Sequence, residues 1–194
     1  MRYISIDIET TGLDYKNDLI LEFSAIIEDT ELNLPIEQLP ILNIKFYYEN
    51  IIGSPYALEL NKNLINYIKN NKDKCIEYKY DDETFNNKLI KFLLDNNFNL
   101  NEKINIAGKN FSNFDKLFLI NKFNIFANNI IKLSHRVLDP AILYLDLKLD
   151  STLPDLSTCC ERANIKINNL HTATEDALLI IKLIRAYYDK YNNK

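Results

Sequence analysis

Glycine is the scarcest informative residue in this 194-residue chain, present only as Gly12, Gly53 and Gly108. A dinucleotide-binding Gly-x-Gly-x-x-Gly or a Walker phosphate loop needs clustered glycines so that backbone amides can approach phosphate, and both are excluded. The Gly-x-Ser-x-Gly elbow of the serine hydrolases is excluded with them. Cysteine is as sparse: Cys75 stands alone and Cys159 adjoins Cys160. Neither pattern gives zinc-ligand spacing or a secreted disulfide framework, so a reducing compartment is expected. No apolar run approaches the roughly 18 residues of a membrane span. The longest candidate, 177–188, is broken by Lys182 and Arg185, and the only early apolar run is interrupted by Asp7 and Glu9, which leaves no secretory signal. A cytoplasmic or otherwise intracellular protein, not a secreted one, is the expectation. Positive charge is also short, with 23 Lys and Arg against 27 Asp and Glu and a net charge of −4. That balance argues against a protein that holds nucleic acid mainly through a broad basic face, and leaves room only for a local basic strip.

What is present is a globular composition, 47% hydrophobic and 26% charged. A chain of this length can bury roughly 70% of its unfolded surface, so one domain over residues 1–194 needs no disulfide or structural metal. Arg2 to Glu9 alternates Tyr3, Ser5, Asp7 and Glu9 with Ile4, Ile6 and Ile8, the period of a strand, and stops at Thr10-Thr11-Gly12. Runs at 19–27 and 41–48, rich in Ile, Phe and Tyr, make two further strands and predict an antiparallel N-terminal meander. Ser54-Pro55 then supplies a helix cap and a first-turn proline, followed by Leu60, Leu64, Ile65 and Ile68 at helical spacing. Phe85, Leu89, Phe92 and Leu93 mark a second helix. Ile104 to Ala107 reads as a short strand ending at Gly108, with Ser112 capping a helix that carries Phe114, Leu117 and Phe118. A strand at Val137-Leu138 and helices near 156–163 and 173–188 complete the chain, the last with Ala177, Ile180, Ile181, Ile184 and Tyr188 as its buried stripe. The economical architecture is α/β: a mixed central sheet flanked by helices.

Three places carry candidate chemistry. Asp7 and Glu9 lie two apart on a strand, so both carboxylates leave one face, where like charges repel unless a cation sits between them. Hard divalent-metal binding is one reading, and a solvated edge-strand face is the other. Asp115 follows the strand-turn-helix unit, where Ser112-x-x-Asp115 also has the form of a capping box. In 171–177, Thr172-x-x-Glu175 forms a capping box, which leaves His171 just outside the helix and Asp176 on its first turns, where the helix end favours negative charge.

The string Asp7-Ile8-Glu9-Thr10-Thr11-Gly12-Leu13 closely resembles the first motif of the DEDD 3′–5′ exonucleases, the superfamily of polymerase proofreading domains, ribonuclease T and oligoribonuclease. Asn110, Phe114 and Asp115 match its second motif, and His171 with Asp176 its third. The alternative branch carries Tyr four residues before the last Asp, where this chain has Thr172, so the resemblance is to the histidine (DEDDh) branch. It implies a ribonuclease H-like fold and a metal-dependent 3′–5′ exonuclease of single-stranded DNA or RNA that releases nucleoside 5′-monophosphates. It further implies two Mg²⁺ or Mn²⁺ ions held by Asp7, Glu9, Asp115 and Asp176, with His171 as general base. Thr10, Thr11, Gly12 and Leu13 fall where the family contacts the 3′ nucleotide, and Asn110 and Phe111 are further substrate-binding candidates, Phe111 as a stacking surface with a place in the core as its alternative. Lys109 and Lys116 are modest phosphate candidates, and a polymerase is a conceivable partner. A catalytically silent nucleic-acid-binding or replication-assembly module of the same fold is the competing expectation.

Overall fold

The structure is a computed structural model and describes residues 1–78, 83–167 and 171–192. Strands β1 (Arg2–Thr10), β2 (Ile20–Asp29) and β3 (Ile41–Tyr47) form the expected antiparallel meander, with Ile8 opposite Phe23 and Phe23 opposite Ile44. β4 (Ile76–Glu77) runs parallel to β3, β5 (Lys103–Ala107) parallel to β1, and β6 (Lys132–Leu138) parallel to β5. The described residues thus build a mixed six-stranded sheet in the order β4-β3-β2-β1-β5-β6. β6 starts five residues before the strand expected at Val137. Its Lys132, His135 and Arg136 are exposed at the sheet edge, so no apolar run marks it in the sequence.

β1 lies inside the sheet, and packed layers cover both of its faces. Ile4, Ile6 and Ile8 pack under α3 (Glu83–Asp95), α4 (Asp115–Lys122) and α5 (Asn124–Ala127), where Phe85 stacks on Phe123 at 4.0 Å and meets Phe23 edge-on at 5.2 Å. Such ring pairs add about 0.5–1.5 kcal/mol each beyond the area they bury. On the other face Tyr3 and Ile26 pack against Ala177, Ile180, Ile181 and Ile184 of α7 (Ala173–Asn192), and the buried Ser5 hydroxyl donates to the Ala177 carbonyl at 2.8 Å. The solvated-face reading of Asp7 and Glu9 therefore does not hold.

Several local expectations are corrected. The helix begun by Ser54, whose Oγ accepts from the Ala57 amide at 3.2 Å, is two helices, α1 (Pro55–Leu60) and α2 (Lys62–Asn70), broken at Asn61. The break turns Leu60 outward, 45% exposed, while Leu64, Ile65 and Ile68 stay buried. Tyr188, expected on the buried stripe of α7, is 54% exposed because it lies beyond the part of the helix that reaches the sheet core. Ser112 is not a helix cap: α4 begins after Phe114 with no side-chain cap. α6 (Leu156–Ala163) packs Cys159 and Cys160 against Leu179 and Leu183 of α7. No helix among the described residues is long and apolar enough to cross a membrane.

Candidate active site

The end of β1, the start of α4 and the start of α7 meet at one place. Asp7, Glu9 and Asp176 each offer a carboxylate oxygen, and these atoms lie within 4.8 Å of one another. Asp115 joins them from the β5 side. β1 and β5 pair only as far as Ser5 and Ala107, and the chain leaves the ladder at Gly108, where a Cβ would stand 2.9 Å from that of Phe111 and 3.1 Å from the Ile6 carbonyl. Beyond that point the Ile8 amide has no strand partner on its β5 side, and it donates to Asp115 Oδ1 at 3.2 Å. The buried Asp115 is thereby fixed beside β1 and is not spent on a capping box.

Asp176 is placed by the other helix. The Thr172 hydroxyl accepts from the Glu175 amide at 3.2 Å, as its spacing predicts. The returning half of the box is not formed, since Glu175 Oε2 is buried without a hydrogen-bond partner among the described residues. His171 sits just outside α7, exposed, and its charge favours the ionised form of Asp176. The imidazole borders a cleft of about 230 Å³ shared with Thr172, Lys45, Asn61 and Tyr67.

The turn after β1 is tied down by hydrogen bonds. Thr10 Oγ1 donates to the Gly12 carbonyl at 2.7 Å, Thr11 Oγ1 accepts from the Leu19 amide at 2.9 Å, and the Thr11 carbonyl accepts from the Ser54 amide at 2.8 Å. A Cβ at Gly12 would lie 2.2 Å from Asp18 Oδ2, so a larger residue there would displace the carboxylate that accepts from the Asp14 amide at 2.9 Å. Next to this enclosed turn Leu13 projects into solvent, 84% exposed. Asn110 is exposed, in the left-handed region at φ 56°, with its amide on Asp139 Oδ2 at 2.8 Å. Phe111 is a correction: at 1% exposure it belongs to the hydrophobic core and presents no surface to a base.

Two residues of the site escaped the sequence reading. Glu22, opposite Glu9 on β2 and 1% exposed, accepts from Lys45 Nζ and Asn43 Nδ2, each at 2.7 Å, and from the Ala173 amide at 3.1 Å, which ties the start of α7 to the sheet. Its signal was a polar residue inside an apolar run, alternating with Leu21 and Phe23 on the same face parity as Ser24. Asn61, at the break between α1 and α2, donates to the Thr10 carbonyl at 3.1 Å and keeps its Oδ1 buried without a partner. No feature of the sequence marks it.

Five carboxylates crowd this locus, and among the described residues Glu22 alone of the five has a lysine partner at salt-bridge distance. Burial, then Asp115, Asp176 and its other acidic neighbours hold the Asp7 carboxyl well above the usual range. Burial raises Asp115 as well, against the opposing Ile8 amide. Burial, Asp176 and Glu22 lift Glu9 to about 7, and burial lifts Asp176 to about 6 despite His171. An all-oxygen, anionic and partly enclosed donor set suits a hard divalent cation.

These shifts have a stability consequence. A carboxyl whose folded pKa is raised binds protons more tightly in the native state, so its ionisation costs nothing below the unfolded value and destabilises the fold as pH climbs through the folded one. Without metal, Asp7→Asn is expected to melt several degrees above the unmodified protein at about pH 8 and to converge with it near pH 4. Mg²⁺ or Mn²⁺ should raise the melting temperature of the unmodified protein at the higher pH far more than that of the variant. Thermal unfolding with and without chelator checks this, and identical pH profiles for the two proteins would contradict the electrostatic account.

The chain has the α/β ribonuclease H-like fold. It is similar to a structure of exonuclease I, with a TM-score of 0.63 and 18% identity over 98% of this chain and 43% of that one. It is similar also to the zinc-bound form of Escherichia coli exonuclease I in complex with single-stranded DNA, with a TM-score of 0.64 and 17% identity over 97% of this chain and 40% of that one. This chain therefore spans about two-fifths of those exonuclease I chains. No protein-family model and no curated protein matches it.

Proposed function

We propose that residues 1–194 act as one catalytic unit, a metal-dependent 3′–5′ exonuclease of the DEDDh type that removes nucleoside 5′-monophosphates from the 3′ end of single-stranded DNA or RNA. The observation that carries this reading is the convergence of Asp7, Glu9 and Asp176, with Asp115 held beside β1 by the Ile8 amide, from three distant stretches of chain. The exonuclease I fold and the single-stranded DNA bound by that neighbour support it.

Asp7, Glu9, Asp115 and Asp176 would hold the divalent ions. A cation bound there lowers the pKa of a water ligand and stabilises charge on the phosphate and the departing oxygen. His171, exposed at the rim, takes the proton of the attacking water as its oxygen bonds to phosphorus. The P–O3′ bond breaks, the 3′ oxygen of the shortened strand picks up a proton, and the terminal residue leaves as the 5′-monophosphate. The hydrogen-bonded turn at Thr10 to Gly12 holds the exposed Leu13 where it can lie against the terminal base.

The test uses 5′-labelled single-stranded DNA and RNA with free or phosphorylated 3′ ends, in Mg²⁺ or Mn²⁺. A ladder shortening by single nucleotides, nucleoside 5′-monophosphate as product, and resistance of the blocked end are expected. Failure to shorten either polymer in either metal would overturn the reading in favour of a silent binding module.

A further inference from the structure

The cleft beside His171 does not end there. Cross-strand partners share a face, and Glu9 lies opposite Glu22, which lies opposite Lys45, so Lys45 stands on the face of the acidic cluster two strands away, about 10 Å across the sheet. Lys45 and Tyr67 line both the His171 cleft and an adjoining cavity of about 120 Å³ at the open edge of β3. Lys74 and Lys88 form the far side of that second cavity. Among the described residues β3 is joined by β4 only at Phe46 and Tyr47, which leaves its earlier residues without a strand partner on that side and opens the groove.

The chemistry of the groove departs from the rest of an acidic chain. Among the described residues the second cavity is lined by three lysines and no acid. Lys45 is partly neutralised by Glu22 and lies 5.4 Å from the centre of the Tyr67 ring, a contact that steadies a half-exposed aromatic face. Lys74 and Lys88 are exposed and take no ion pair among the described residues, so their charges remain available. Only in the next cavity outward do Asp73 and Glu77 appear beside them. Cations at intervals with an aromatic ring between them match a single-stranded polynucleotide, whose phosphates need charge neutralised and whose unpaired bases offer faces to stack.

We infer that this groove, from His171 past Lys45 and Tyr67 to Lys74 and Lys88, carries the single strand behind its 3′-terminal nucleotide, which makes the protein bind longer substrates more tightly without selecting sequence. The inference rests on the exonuclease reading for the direction of the strand. Binding of a labelled oligothymidylate of about 12 nucleotides, long enough to span both cavities, is measured by fluorescence anisotropy in chelator, which prevents hydrolysis. For Lys74→Ser/Lys88→Ser the dependence of log Kd on log[NaCl] should become shallower by about 1.4, the loss of two contacts to a single strand, with about 10-fold weaker binding near 0.1 M salt. Tyr67→Ala should weaken binding by about 10-fold with the salt slope unchanged. A dinucleotide, too short to reach the lysines, should bind the double variant and the unmodified protein equally.

An unchanged salt slope in the double variant overturns the groove, even if the oligonucleotide is hydrolysed normally once Mg²⁺ is added. A lysine-dependent slope without any hydrolysis overturns the exonuclease reading and leaves the groove standing as a strand-binding surface. The lysines are solvent-exposed, so the double variant is not expected to misfold, and its melting temperature confirms that.

Discussion

Replacement of Asp7 by Asn is expected to lower the rate of 3′-terminal nucleotide release by at least about 10³-fold, since several kcal/mol of transition-state stabilisation depend on the cation it helps to hold. Asp7 is the acid most central to the cluster: Asp115, Asp176, Glu9 and Glu22 all act on it. The amide keeps the shape of the side chain and removes its charge, so the variant loses an anionic oxygen ligand and relieves repulsion among the others. Activity and stability should therefore move in opposite directions. In chelator the variant melts higher at about pH 8, while its turnover collapses in any metal. A loss of activity that merely followed unfolding would show the reverse. Single-turnover release of the terminal nucleotide, with melting curves on the same samples, separates the two, and a variant within tenfold of the unmodified rate would sink the metal-site assignment.

For His171→Ala the expected loss is about 10²- to 10⁴-fold in kcat, the range of a general base, with little change in KM. His171 is exposed and outside α7, so its removal creates no cavity and leaves Thr172 to cap the helix. The four acids stay in place, and metal-dependent thermal stabilisation should survive, in contrast to Asp7→Asn. The distinguishing measurement is the pH profile of kcat: the limb that reports the ionisation of the base should disappear in the variant. If His171→Ala instead raised KM and spared kcat, the imidazole would be a substrate contact and not the base.

Much of this was legible before any coordinates. The alternation in Arg2 to Glu9, the Ile- and Phe-rich runs of β2 and β3 and the apolar stripe of α7 each state a period, and a period is local information. The Ser54-Pro55 helix start and the Thr172 cap are local in the same way, because their hydrogen bonds close within three residues. Where the reading failed, a non-local contact overrode the pattern. Ser112-x-x-Asp115 has capping spacing, but the Ile8 amide, far away in sequence, takes the carboxylate instead. Phe111 sits beside a motif residue, yet the close approach of β1 at Gly108 drives it into the core.

By itself the sequence determined the α/β class and the meander, since these depend on residue type and short-range spacing, while Asp7, Glu9, Asp115, His171 and Asp176 were nominated by the resemblance of their motifs to the DEDDh exonucleases. Tertiary structure alone decided that β1 is central and its acids enclosed, because a strand's place in a sheet depends on which partners flank it. It also decided that Glu22 anchors the start of α7 and that Lys45, Tyr67, Lys74 and Lys88 share one groove. Those residues come from different strands, helices and turns, and only the packing of the sheet edge brings their charges within reach of a common ligand.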